Sequence, residues 1–131
     1  MSGADPTPRL RRSRLTRSGD FDAVYRRGKS ASGRHLVVYA FRREDAAPDD
    51  AARLGVSISR KVGGAVERNR LKRVLREQFA VVADELPRGT DFVAIARSGA
   101  FEYLEELGSA ALGERLGELT RKAAGVTVSS A

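Results

Sequence analysis

The stretch SISRKVGGAVERNRLKRVLRE, Ser57 to Glu77, changes character at its centre. Up to Ser59 it completes RLGVSIS, a short run that reads as a strand. Beyond Gly63 and Gly64, Leu71, Val74 and Leu75 recur at helical spacing, and the paired glycines mark a turn between the two elements. The expected helix runs from about Val66 to about Ala83. On a wheel of about 100° per residue with Leu71 at zero, Val74, Leu75, Gln78, Phe79 and Val82 fall between about −60° and +80°. Asn69, Arg70, Lys72, Arg73 and Arg76 fall on the opposite side, with Arg68 at the seam. One face is built for a core and the other carries cations. A solvated face normally alternates charge sign to form pairs one turn apart, whereas here only Glu67 and Glu77 flank five positive side chains. Such a comb is relieved when a polyanion lies over it.

The charge of the chain is segregated in the same sense. Residues 1–80 hold 19 of the 24 Lys/Arg and 9 of the 17 Asp/Glu, a net +10, while the remainder holds 5 and 8, a net −3, giving +7 in total. A positive half of this kind attracts polyanions, of which nucleic acid and anionic membrane are the two large classes. The 131 residues suit one domain, and 41% hydrophobic content supports a single modest core. With no cysteine, a disulfide framework, a thiolate metal site and a cysteine nucleophile are all excluded. No apolar run approaches the roughly 20 residues needed to span a bilayer, and the arginine-rich start lacks the apolar segment of a secretory signal. The expected location is the cytoplasm.

Residues 1–17, including RLRRSRLTR from Arg9 to Arg17, read as a flexible basic arm. SGDFDAVYRRG reads as a short helix with Ser18 as N-cap, Asp20 and Asp22 in its first turn, Arg26 and Arg27 in its last, and Gly28 as its stop. RHLVVYAFRR and RLGVSIS read as two strands of a long hairpin joined by the acidic connection EDAAPDDAA. TDFVAIARS is a further, nearly continuously apolar strand. FEYLEELGSAALGERLGELTRKA reads as a closing amphipathic helix weakened by Gly108, Gly113 and Gly117, with residues 124–131 as a frayed tail. The order is helix, two strands, helix, strand, helix, an α+β or small α/β sandwich, with residues 18–123 forming the folded domain.

Little in the chain suits hydrolysis. A metal-free ribonuclease needs an acid and a base, commonly two histidines, and His35 stands alone. The densest carboxylates, Asp45, Asp49 and Asp50, lie beside Pro48 in the acidic connection and read as a solvated turn rather than a two-metal site. Phe21 and Tyr25 lie one helical turn apart, and Tyr39 shares a strand face with Val37 and Phe41. Spacing by itself makes core packing the simpler account of these aromatics.

RNRLKRVLRE, preceded by SISRKVGGAVERNR and, upstream, by RLTRSGDFDAVYRRGKSASGRHLVVYAF, resembles the protein subunit of bacterial ribonuclease P over about Arg14 to Lys122. The resemblance implies an α/β sandwich like domain 2 of ribosomal protein S5, whose strand-helix-strand unit has a left-handed crossover, a hand that the general preference for right-handed connections would not suggest. It implies that the catalyst is a magnesium-dependent RNA, with no cofactor held by the protein. It further implies two sites. Arg68, Asn69, Arg70, Lys72, Arg73 and Arg76 match the face toward the catalytic RNA, and Phe21, Tyr25, Tyr39, Ser57, Arg60 and Lys61 match a cleft that receives the single-stranded 5′ leader of precursor tRNA. Tyr25 stands where phenylalanine is common, which keeps the stacking face and adds a hydroxyl. Gly63 and Gly64 open the further option of backbone N–H groups approaching phosphate, though a plain turn explains them as well.

Two readings from other classes stay open on residues alone: an RNA-chaperone or ribosomal-type binding protein with no enzyme to serve, and a DNA-binding protein that lays the basic helix in a major groove. The absence of a heptad seam and the suitability of aromatics for single strands weigh against DNA.

Overall fold

The computed structural model describes residues 18–47 and 49–125. Helix α1 spans Ser18–Arg27 and is followed by strands β1 (Lys29–Ser32), β2 (Leu36–Arg42) and β3 (Arg53–Ile58). A 3-10 turn at Arg60–Val62 leads into α2 (Ala65–Val82), then come β4 (Thr90–Ala96), α3 (Ala100–Leu107) and α4 (Ser109–Ala123). The strands form one mixed sheet in the order β1-β2-β4-β3, antiparallel except for the parallel pair of β3 and β4. The architecture is the α+β sandwich expected. Residues 1–17 and 126–131, the arm and most of the tail, lie outside the described residues, as do the side chains of Ser18 and Asp20. Among the described residues no helix is long and apolar enough to cross a membrane.

The expected hairpin of β2 and β3 is not formed, because β4 lies between them and pairs with both. The reason is the composition of β4: Phe92, Ala94 and Ala96 supply one apolar face, while Val93 and Ile95 supply the other. A strand apolar on both faces belongs at the centre, where both faces are covered. The hairpin that does form joins β1 to β2, with Ala31 opposite Val38 and Ser32 opposite Val37. Its first strand, KSAS, has no β-branched or aromatic residue, so composition does not mark it.

Alternation along β2 then separates two cores. Leu36, Val38 and Ala40 join Leu54 and Phe92 beneath Leu71, Leu75 and Phe79 of α2 and Leu112 and Leu116 of α4. Phe79 and Phe92 meet with ring centroids 5.7 Å apart. On the other sheet face Val24 of α1 packs on Val93, both fully buried, with Phe21, Tyr39, Phe41 and Ile95 around them. The closing helix is two helices. Gly108, at φ 90°, ends α3 in a backbone region that side-chain-bearing residues rarely enter, and α4 starts in a new direction.

The seat of α1 is set by Gly28, whose N–H donates to the Val24 carbonyl at 2.9 Å as the chain turns directly into β1. A Cβ at this position would stand 2.4 Å from the Val24 oxygen and 2.7 Å from the Ala40 oxygen, both backbone atoms. Gly28→Ala is therefore expected to cost about 1–3 kcal/mol of stability by pushing α1 off the sheet. Urea denaturation tests this, and a midpoint equal to the wild type would show that α1 shifts freely.

Candidate RNA interface

On the α1 side of the sheet the side chains fall into rows across the strands. Ser32, Val37, Ile95 and Ser57 form one row, and Ser30, Tyr39, Val93 and Gly55 form the next. Helix α1 covers the second row with Val24 and carries Phe21 and Tyr25 along its border. The Tyr25 ring stands edge-on to Tyr39, 5.3 Å between centroids, and 6.4 Å from Phe21. The Ser57 hydroxyl lies beside that of Tyr25. Burial raises the Tyr25 phenol above its ordinary pKa, the neighbouring Ser57 hydroxyl lowers it by less, and Tyr39 adds a further upward push. The hydroxyl thus stays protonated at neutral pH and remains able to donate. Tyr25 is nevertheless 39% exposed, so part of the residue is open to solvent.

The structure thus brings Phe21, Tyr25, Tyr39 and Ser57 into one cluster. Arg60 and Lys61 follow just past the end of β3, in the 3-10 turn capped by Ser59, whose Oγ accepts the Lys61 N–H at 3.3 Å. Both are exposed and make no ion pair among the described residues. An aromatic border, a hydroxyl-edged floor and two free cations are what single-stranded nucleic acid needs, since its bases stack and its backbone is anionic. Ile95 and Ser32, half-buried and exposed members of the floor row, were not singled out from sequence. Because β4 is apolar on both faces, no periodicity in it shows which face borders a cleft.

The basic comb lies on the opposite side of the sheet. Helix α2 buries Leu71, Val74, Leu75 and Phe79, as the wheel requires, and leaves Asn69, Arg70 and Arg73 exposed, with Arg68, Lys72 and Arg76 half-buried. Its start is self-capped: the Gly64 N–H donates to the Glu67 carboxylate, and Arg68 Nε donates to the Gly63 carbonyl at 3.1 Å. The option that the Gly64 N–H approaches phosphate is therefore not supported, because Glu67 already takes it as the acidic partner of a capping box. Arg70 is also held, pairing with Glu105 of α3 and lying 5.9 Å from the Phe101 ring centroid. The side chains of Asn69 and Arg73 have no hydrogen bond or ion pair among the described residues.

The remaining polar candidates have structural duties. His35 packs its ring against Tyr103, 4.7 Å between centroids. Asp50 accepts the Ala47 N–H at 2.9 Å and lies 3.6 Å from Arg43, so this part of the acidic connection braces its own turn.

Known proteins share both the sequence pattern and the fold. The family model described as Ribonuclease P matches residues 10–124. The ribonuclease P protein component of Oleidesulfovibrio alaskensis is 48% identical over 87 residues, 66% of this chain and 68% of that protein. That of Bacillus cereus is 38% identical over 96 residues, 73% of this chain and 81% of that protein. Among solved structures, a Staphylococcus aureus RNase P protein mutant with defective mRNA degradation activity superposes with a TM-score of 0.74 at 32% identity, over 89% of this chain and 92% of that one. The Thermotoga maritima RNase P protein gives 0.72 at 33% identity, over 83% and 96%. With matches of this extent in sequence and in fold, the chain belongs to the ribonuclease P protein family, the protein subunit of the enzyme that matures the 5′ ends of tRNA.

Proposed function

We propose that the two basic surfaces divide the work of this subunit: the comb on α2 seats the protein on the catalytic RNA, and the cleft between α1 and the sheet holds the 5′ leader of precursor tRNA. Chemistry in this reading belongs to the RNA and its Mg2+, and the protein acts in the cytoplasm by binding alone. The observation that carries the leader assignment is Tyr25, braced edge-on by Tyr39 and beside Ser57, yet 39% exposed. An aromatic ring so fixed loses little freedom when a base stacks on it, which preserves the gain of stacking.

The test is cleavage of a leader-bearing precursor tRNA by the matching catalytic RNA at low Mg2+, with the protein, without it, and with the protein alone. The wild type is expected to restore cleavage, and the protein alone to cut nothing. Tyr25→Ala is expected to weaken binding of leader-bearing precursor by about 1–3 kcal/mol, the worth of one stacked base, and to leave mature tRNA binding unchanged. Equal weakening for both tRNAs would remove the leader from this cleft. General RNA binding without any stimulation of cleavage would favour an RNA-chaperone role.

A further inference from the structure

Arg70 differs from Arg73 on the comb. Its Nη1 pairs with Glu105 Oε2, and its guanidinium carbon lies 5.9 Å from the Phe101 ring centroid. Phe101 and Glu105 are spaced one turn apart on α3, so a ring and a carboxylate together cradle a guanidinium that belongs to another helix. Arg73, one turn further along α2, has no such partner among the described residues.

We infer that Glu105 is a built-in competitor for RNA phosphate at Arg70, and so a specificity-determining residue of the RNA face. The inference rests on the reading that the α2 comb binds RNA. Carboxylate and phosphate oxygens seek the same guanidinium N–H donors. A phosphate arriving at Arg70 must therefore displace Glu105 or share the fork with it against like-charge repulsion. Phe101 adds to the constraint, because the cation leaves the ring face if it swings clear of the carboxylate. An RNA that offers phosphates to Arg73 and further comb cations at the same time overcomes this opposition through its other contacts. A loose polyanion that reaches Arg70 alone does not.

The experiment is a titration of the matching catalytic RNA across a salt series with the full-length protein, Glu105→Gln, Arg73→Ala, Arg70→Ala and the double variant Arg70→Ala/Glu105→Gln. Glu105→Gln is expected to bind about two- to fivefold tighter at fixed salt, the scale of one exposed ion pair. The slope of log K against log salt should steepen by up to about 0.7, as one more cation becomes free to neutralise phosphate. In the Arg70→Ala background the gain should vanish. Urea midpoints should be alike, since both partners are about half exposed, at 43% and 52%.

A gain that persists undiminished without Arg70 would show that Glu105 acts as a distant charge, and would overturn the inference. Unchanged or weaker binding by Glu105→Gln, with Arg73→Ala clearly weakened, would also overturn it while leaving the comb intact as an RNA surface. No effect of Arg73→Ala would remove the comb reading and this inference with it.

Discussion

Asp91→Ala is expected to destabilise the protein by about 3 kcal/mol, the lower end of what it costs to break a buried ion pair by removing one partner. Asp91 lies in the central strand β4 and is 1% exposed. Arg53 grips it with both ends of its fork, Nε to Oδ1 at 2.8 Å and Nη2 to Oδ2 at 2.7 Å. Arg43 Nε lies 3.1 Å from Oδ1, an ion pair without hydrogen-bond geometry. Removing the carboxylate leaves two guanidinium groups facing one another across its space. They are 22% and 17% exposed, so partial rehydration moderates the loss. Asp91→Asn keeps the shape and one acceptor and is expected to fall between wild type and alanine. The measurement is urea unfolding of the free protein at fixed salt, without RNA, because bound RNA would add its own stabilisation. A wild-type midpoint for Asp91→Ala would show that the clamp contributes nothing net, as some buried ion pairs do.

The second large effect is on binding. Changing Arg68, Arg70 and Arg73 to alanine together is expected to weaken binding to the catalytic RNA about a hundredfold or more at fixed salt, since charged hydrogen bonds are worth about 1.5–3 kcal/mol each and are not fully additive. The slope of log K against log salt should become shallower by about 2, at roughly 0.7 to 0.9 per lost phosphate contact. Arg70 and Arg73 are exposed and Arg68 is only half-buried, so the helix content by circular dichroism should change little. Because the comb and the cleft lie on opposite sides of the sheet, the variant's preference for leader-bearing over mature tRNA should survive once enough protein is added to saturate the RNA. An unchanged salt slope would place the RNA contacts elsewhere on the molecule.

Both surfaces were partly legible in the residues. The comb was the more legible: a helix with Leu71, Val74, Leu75 and Phe79 on one arc turns most of its cations away from the core. The cleft was less legible, because aromatics at helical spacing serve a core as readily as a groove. Only the structure shows Val24 taking the core position beside Val93 while Tyr25, the next residue, stays at the border against Tyr39. Arg70 stood in the sequence as one cation of the comb, and its partners Phe101 and Glu105 lie more than 30 residues away in a segment read as an amphipathic helix.

What the sequence by itself determined is whatever depends on neighbours along the chain: the helical period of α2, the turn at Gly63 and Gly64, the segregation of charge, and the apolar run of β4. What only the tertiary structure decided is whatever depends on which element lies beside which. The insertion of β4 between β2 and β3, the pairing of the unremarkable KSAS strand, the break between α3 and α4, and the clamp on Asp91 are of this kind. The physical reason is that local patterning specifies which faces must be covered, while several arrangements can cover them. The choice falls to the packing that buries both faces of β4 and gives the buried Asp91 its guanidinium partners.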